Sequence, residues 1–323
     1  MRFGKQLRYA LLIIGLFALP ICVKGDYYLH VLILCAINII LTSTLRAIST
    51  TGQLSLGHAG FMSVGAYTSA ILVMKAGIST YTALLLGGVA AMALAAVIAY
   101  PVTRVKTVYF SMLTLFLGEV ISLLATEARD LTGGTSGLIN IRPLGTISIP
   151  WLFTIDFTAK LPNYYFVLIL MLIVLLSLYR IDCSYIGMTC KAIAQDDSLA
   201  ASTGINVAKF KAVVLCISCF FTGLAGSFYA HYVSVITPDS FGLFISINLL
   251  IYMIVGGTRR FAGPIMGALI LTLIPELFRG LKEYQPFMFV AVLYLVVWLL
   301  PGGLVNLPAQ IKPSVRNVFR RSD

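Results

Sequence analysis

The sequence predicts an all-α fold: a polytopic helical membrane protein of about ten transmembrane segments, some broken by glycine-rich stretches, with both termini cytoplasmic. Three observations predict it. Hydrophobic residues make up 59% of the 323-residue chain and charged residues only 11%, against about 25% charged in a typical soluble domain. Mean hydropathy is +0.96. The apolar residues are gathered into runs approaching the roughly 20 residues that a helix needs to cross a hydrocarbon core of about 30 Å. A single water-soluble globule is therefore excluded. The 23 basic residues exceed the 12 acidic ones, for a formal charge of +11. In a soluble chain that excess points toward nucleic acid. Here the charges lie between apolar runs, so they set membrane orientation, and the lipid bilayer rather than nucleic acid is the expected partner.

The apolar segments fall at residues 9–23, 28–48, 59–74, 82–100, 108–126, 164–178, 213–229, 245–255, 262–278 and 287–300. Together they form one transmembrane domain over 1–323. The first segment follows Arg2, Lys5 and Arg8, as in a signal peptide. The stretch Leu19-Pro20-Ile21-Cys22-Val23-Lys24 offers no small-x-small cleavage site, which favours an uncleaved helix. The segment at 82–100 carries Gly87, Ala91, Ala95 and Ala99 at four-residue steps. Such a stripe lies on one helix face and admits a close neighbouring backbone. Gly263 and Gly267 repeat the device in the segment at 262–278. The segment at 245–255 is short enough to be a buried half-helix.

Sidedness tests the count. With ten crossings and a cytoplasmic N-terminus, sixteen basic residues lie inside: Arg2, Lys5, Arg8, Arg46, Arg104, Lys106, Arg180, Lys191, Lys209, Lys211, Arg259, Arg260, Lys312, Arg316, Arg320 and Arg321. Seven lie outside: Lys24, Lys75, Arg129, Arg142, Lys160, Arg279 and Lys282. The asymmetry matches the excess of cytoplasmic Lys and Arg in membrane proteins.

Two acids fall within segments. Glu119 lies eleven residues after Val108, about 16 Å along a helix, and is expected near mid-membrane, facing the bundle interior. Glu276, three residues before Arg279, is expected in an interfacial ion pair. The six cysteines offer no disulfide framework, and Cys216 and Cys219, inside a segment with no second pair, read as small packing residues.

The breaks are more informative. Thr51-Gly52-Gln53-Leu54-Ser55-Leu56-Gly57-His58-Ala59-Gly60-Phe61 is too rich in glycine and polar groups for a simple turn. Irregular backbone at membrane depth survives only where protein or a water-filled cavity shields it. Gly256-Gly257-Thr258-Arg259-Arg260-Phe261-Ala262-Gly263-Pro264 reads as a basic cytoplasmic loop. Gly133-Gly134-Thr135-Ser136-Gly137 lies in the outer loop at 127–163, where it can fold back into the mouth of the bundle. The longest inner loop, 181–211, contains Asp196-Asp197-Ser198, which can cap a short Ala-rich helix that Gly204 ends. A cytosolic helix of that kind suits docking against another protein.

These residues identify a resemblance. Thr51–Tyr67, Tyr109-Phe110 with Thr114-Leu115 and Glu119, Gly133–Leu138, Ala192-Ile193 through Ala200-Ala201 to Gly204-Ile205-Asn206, and Gly256-Gly257 with Gly263-Pro264 and Gly267-Ala268 occur in order along the chain. In this series it resembles the LivM-type permease subunit of the bacterial branched-chain amino acid ABC importer family. Typical members carry Arg and Glu where this chain has Ala194 and Gln195, another Arg at Met188, and a glycine-rich turn at Thr258-Arg259-Arg260.

The resemblance implies a multi-pass subunit of the bacterial inner membrane. It would pair with a LivH-like permease, two cytoplasmic ABC ATPases and a periplasmic substrate-binding protein. It also implies that 181–211 is the ATPase-coupling loop, with Ala192, Ile193, Ala200, Ala201 and Gly204 as coupling candidates. Gln53, Ser55, His58, Glu119, Thr135 and Ser136 are the candidates for polar groups along the route. No cofactor is expected in this chain, which lacks a Gly-x-x-x-x-Gly-Lys-Ser/Thr phosphate loop; ATP would be bound by partner subunits. Other readings are an ABC permease for urea or short amides, and a proton-coupled secondary transporter using Glu119 and His58. An embedded enzyme is disfavoured because His30, His58 and His231 are scattered along the chain.

Overall fold

A computed structural model provides the fold and describes residues 15–20, 25–105, 107–145, 147–149, 153–155, 157, 159–277, 290 and 294. The elements are α1 (Asp26–Ser49), α2 (His58–Ala76), α3 (Thr80–Val102), α4 (Thr107–Glu127), α5 (Arg129–Thr132), a 3-10 turn (Gly134–Ser136), β1 (Leu138–Ile139), β2 (Ile147–Ile149) and β3 (Phe153–Ile155). They continue with α6 (Lys160–Asp182), α7 (Tyr185–Gln195), α8 (Asp197–Ser202), α9 (Val207–Val233), β4 (Val235–Ile236), a second 3-10 turn (Pro238–Phe241), α10 (Leu243–Gly256) and α11 (Ala262–Leu277).

Among the described residues, seven helical stretches are long and apolar enough to cross a membrane: α1, α2, α3, α4, α6, α9 and Pro238–Gly256. The apolar stretch Ala262–Glu276 in α11 is shorter. The segments expected at 9–23 and 287–300 lie outside the described residues, apart from residues 15–20, 290 and 294. Arg279, the expected partner of Glu276, also lies outside them.

Small residues let the centre close. The 27-residue α9 is the hub and packs on α3, α2 and α1. At its crossing with α2, a side chain on Gly65 would run into the Gly223 backbone, and one on Gly223 would strike Ala91 of α3. Gly87, Ala91, Ala95 and Ala99 form the buried face of α3, which fits the close approach that small residues permit between membrane helices. Gly256, Gly263 and Gly267 lock α10 against α11 in the same manner. At the far end of the bundle, Phe166, Phe228, Tyr232 and His30 stack in sequence across α6, α9 and α1. The His30 ring bonds the Tyr232 hydroxyl at 2.6 Å.

The loops that the charge pattern assigns to the cytoplasm gather at one end. There Arg46 reaches Asp182 and the Thr258 carbonyl, and Gln53 approaches Thr103. At the opposite end Lys75 donates to the Asp130 carbonyl, the Tyr81 hydroxyl donates to the Gly145 carbonyl, and Lys160 pairs with Asp26.

Two features depart from the purely helical expectation. The outer loop contains a small hairpin, β2–β3. It also contains β1, which pairs antiparallel with β4 through Leu138↔Ile236 and Ile139↔Val235. The inner loop holds two helices, α7 and α8, rather than one. Asp196 caps α8 as expected, its carboxylate accepting from the Ser198 and Leu199 amides at 2.8 and 3.0 Å.

Candidate functional site

Between α1 and α2 the chain leaves helical geometry and runs along α4. Thr107, Ser111 and Thr114, at helical spacing on one face of α4, meet it in turn. The Thr107 hydroxyl donates to the Gly52 carbonyl at 2.8 Å and the Ser111 hydroxyl to the Leu54 carbonyl at 2.7 Å. The Thr114 hydroxyl accepts from the Leu56 amide at 3.1 Å. Gly57 lies directly against the Thr114 carbonyl, where no Cβ fits. The stretch is thus shielded by protein, as irregular backbone at membrane depth must be. At its inner end Gly52, at φ +79°, abuts the backbone of Ala194 in α7.

His58 opens α2 and is fully buried. Its Nε2 lies 2.9 Å from the Thr44 hydroxyl of α1 and 2.8 Å from the Thr222 hydroxyl of α9. Each hydroxyl also donates along its own helix, Thr44 to the Leu41 carbonyl and Thr222 to the Ser218 carbonyl. The Thr222 hydroxyl also lies 3.1 Å from the Thr44 hydroxyl, so the ring and both hydroxyls form one buried hydrogen-bonded cluster. The imidazole ties three helices together fifteen residues into α9, about 22 Å along it. Ser246 of α10 accepts from the Ala59 amide at 3.0 Å, capping α2 from 187 residues away. Gln53 and Ser55 are buried beside this break, and the Ser55 hydroxyl has no partner among the described residues.

Glu119 corrects the expectation that it faces the interior. It is exposed on α4, whose buried stripe is Phe110, Thr114 and Ala125. Glu119 lies about 140° around the helix from Thr114. Its neighbours Met112, Phe116, Val120 and Leu123 are also exposed. It makes no ion pair among the described residues. Thr135 and Ser136 are exposed in the 3-10 turn at the far end of the bundle. The structure therefore brings Gln53, Ser55 and His58 together along the break and leaves Glu119 and Thr135–Ser136 on two separate surfaces. Among the described residues no group of three or more His, Cys, Asp or Glu side chains is arranged to hold a metal ion.

The coupling candidates divide by direction. Ile193 and Ala200 point inward and anchor α7 and α8, while Ala192, Ala201 and Gly204 are exposed. Beside them stand Tyr185, Met188 and Leu199, each about two-thirds exposed at 66%, 62% and 65%. Sequence reasoning noticed Met188 only as a departure and missed Leu199; helical spacing from the buried Ile193 and Ala200 was the available signal. A carboxylate network fastens this layer to the bundle. Asp182 pairs with Lys191 at 2.9 Å and Arg46 at 3.4 Å, and Lys211 of α9 pairs with Asp197. Hydrogen bonds from the Ser198 hydroxyl and from the Leu199 and Ser198 amides hold the Asp196 carboxyl below its ordinary pKa.

Cys190 sits on the buried face of α7. Burial, with the nearby Asp182 charge, pushes its thiol from 9.0 up to about 11. At pH 8 only about one molecule in a thousand carries the reactive thiolate. Brief N-ethylmaleimide treatment at pH 8 should therefore modify exposed Cys183 and spare Cys190, as read by peptide mass spectrometry. Cys190 modification should rise as the pH approaches 11. The neutral thiol stabilises the docked helix fully below pH 9, and that contribution is lost as pH rises through 11.

A family model described as the permease component of the branched-chain amino acid transport system matches residues 27–300. The chain is 28% identical over 281 residues to the high-affinity branched-chain amino acid transport system permease protein LivM of Salmonella typhimurium. The match covers 80% of this chain and 65% of that protein, and the Escherichia coli K12 LivM matches to the same extent. The chain thus spans just under two-thirds of the length of these relatives. A second permease protein, LivH of Escherichia coli K12, is 28% identical over 127 residues, covering 39% of this chain and 41% of that one. No solved structure matches. A family match running from α1 past α11, over a bundle of membrane-length helices with a buried glycine-rich break, places this chain in the family of permease components of branched-chain amino acid transport systems.

Proposed function

We propose that this chain is one of two membrane subunits of an ATP-driven importer in the bacterial inner membrane. Together with a LivH-like subunit it forms the route for branched-chain or similar hydrophobic amino acids delivered by a periplasmic binding protein. Two cytoplasmic ATPases bind and hydrolyse the ATP. The observation that carries this reading is the α7–α8 layer. It is anchored by buried Ile193, Cys190 and Ala200 and presents Tyr185, Met188 and Leu199 outward at the basic end of the bundle. Apolar side chains on a cytosolic surface suit a protein partner, and a rigid seated helix can pass that partner's movement into the membrane.

Within the membrane, the α4 face bearing Glu119 supports a route shared with the second subunit, because a carboxylate at that depth needs water or protein beside it. Burial of His58 and exposure of Glu119 on different sides of α4 argue against a proton relay between them.

The test is uptake by the complete assembly in vesicles. Met188→Glu and Ala201→Glu should each lower uptake at least about tenfold, the order of a single buried unpaired charge at an interface, with normal membrane insertion. Parental uptake by both variants would overturn the reading. The chain reconstituted without partners should accumulate no amino acid against a gradient, and proton-driven accumulation by it alone would establish the secondary-transporter reading instead.

A further inference from the structure

Asp182 holds two cations from two different helices, Lys191 of α7 and Arg46 of α1. One carboxylate oxygen pairs with Lys191 of α7 at 2.9 Å and the other with Arg46 at 3.4 Å. Lys191 also donates to the Asp182 carbonyl at 3.1 Å. Gly187 of α7 rests on the carbonyls of Ile181 and Asp182, where no Cβ fits, so α7 is seated directly on the end of α6.

Arg46 faces the other way. Its side chain is only 4% exposed. Nε donates to the Thr258 carbonyl at 3.1 Å, and the guanidinium lies 5.4 Å from the Phe261 ring centre. Thr258 and Phe261 belong to the turn joining α10 and α11, and the interlocked Gly256, Gly263 and Gly267 make those two helices a single unit. A cavity of about 20 Å³, the size of about one water molecule, lies at the junction and is lined in part by Ser43, Arg46, Asp182, Cys190 and Phe261.

We propose that Asp182 is a positioning residue that passes movement of α7–α8 through Arg46 to the α10–α11 hairpin. The proposal rests on the reading of α7–α8 as the ATPase-facing layer. A buried guanidinium stripped of its carboxylate is strongly disfavoured, so Arg46 follows Asp182 and carries the Thr258–Phe261 turn with it. Lys191, half exposed at 48%, is the solvent-side handle on the same carboxylate.

The experiment measures uptake and ATP hydrolysis together in vesicles holding the complete assembly. Asp182→Asn should lower the amino acid moved per ATP hydrolysed about tenfold while hydrolysis continues, and Asp182→Glu should restore most of the ratio. A merely structural role would lower both activities in parallel with the amount of assembled protein and leave their ratio unchanged, which would overturn the proposal. Should Asp182→Asn fail to assemble, Lys191→Met cuts only the exposed end of the relay, and an unchanged ratio there overturns it equally. Cysteines placed at Met188 and Leu199 test the underlying reading separately. Cross-linking to an ATPase with an unchanged ratio in Asp182→Asn sinks the relay alone. No cross-link in an actively importing assembly sinks the ATPase-facing layer and the relay with it.

Discussion

Replacing Gly57 with alanine is expected to abolish uptake and to lower the thermal stability of the purified subunit. A methyl group at this position would overlap the Thr114 carbonyl, and the obstacle is helix backbone rather than a side chain that can rotate away. Either α4 moves outward or the stretch from Gly52 to Gly57 leaves its surface. The second response breaks the bonds of Thr107, Ser111 and Thr114 together, because all three hold the same stretch. Hydrogen bonds between membrane helices average about 0.6 kcal/mol each, and overpacking costs about 1–3 kcal/mol. The total is on the order of 3–5 kcal/mol, a large fraction of the 5–15 kcal/mol typical of folded proteins. For a chain of this size that lowers the melting temperature by about 4–7 °C. Gly145→Ala is the matched control, since nothing lies within 4 Å of its added methyl; its melting temperature and uptake should equal the parent's. Equal melting temperatures for Gly57→Ala and Gly145→Ala would show that the break is not pinned to α4.

The break was legible in the sequence because glycine and polar side chains inside an apolar chain demand shielding. The fixed points along α4 were not, because Thr107, Ser111 and Thr114 look like ordinary helix residues until the irregular stretch from Gly52 to Gly57 is placed beside them. Other elements divide along the same physical line. Local chemistry announced the Asp196 cap and the small-residue face of α3, both written within one turn or one helix stripe. Contacts between distant residues had no local signature: Ser246 capping α2, β1 pairing with β4, and Arg46 buried against Asp182. Arg46 was counted among the basic residues that set orientation, and nothing in its neighbourhood distinguishes a solvated arginine from a buried one. Glu119 was misdirected for a different reason. In lipid a helix is apolar on its outer face as well as its inner one, so hydrophobic periodicity in α4 does not say which side is buried. The place of Glu119 along α4 follows from counting residues, and its direction around the helix does not.

That direction sets the second large expectation. On the proposed function, Glu119→Gln should lower uptake by the complete assembly about tenfold or more, while assembly persists. The carboxylate stands roughly 18 Å along α4 from Thr107, on a face otherwise lined by Met112, Phe116, Val120 and Leu123. Placing a charged side chain at the centre of a bilayer costs about 2.5–3.5 kcal/mol or more. A lipid-facing position would therefore be relieved by losing the charge, with higher membrane yield and unchanged uptake for the glutamine variant. A position lining a shared route behaves oppositely: the carboxylate there contacts water or cargo, and losing a charged hydrogen bond of about 1.5–3 kcal/mol weakens transport by about one to two orders of magnitude. Accessibility separates the two cases independently of uptake. In a chain whose exposed Cys183 is replaced by serine, Glu119→Cys should react with a charged, membrane-impermeant thiol reagent, and Phe116→Cys, one turn away on the same face, should react as well. Protection of both would assign the α4 face to lipid and move the route elsewhere. Reaction of both, with cargo slowing the modification, would assign it to the conduit between the two permease subunits.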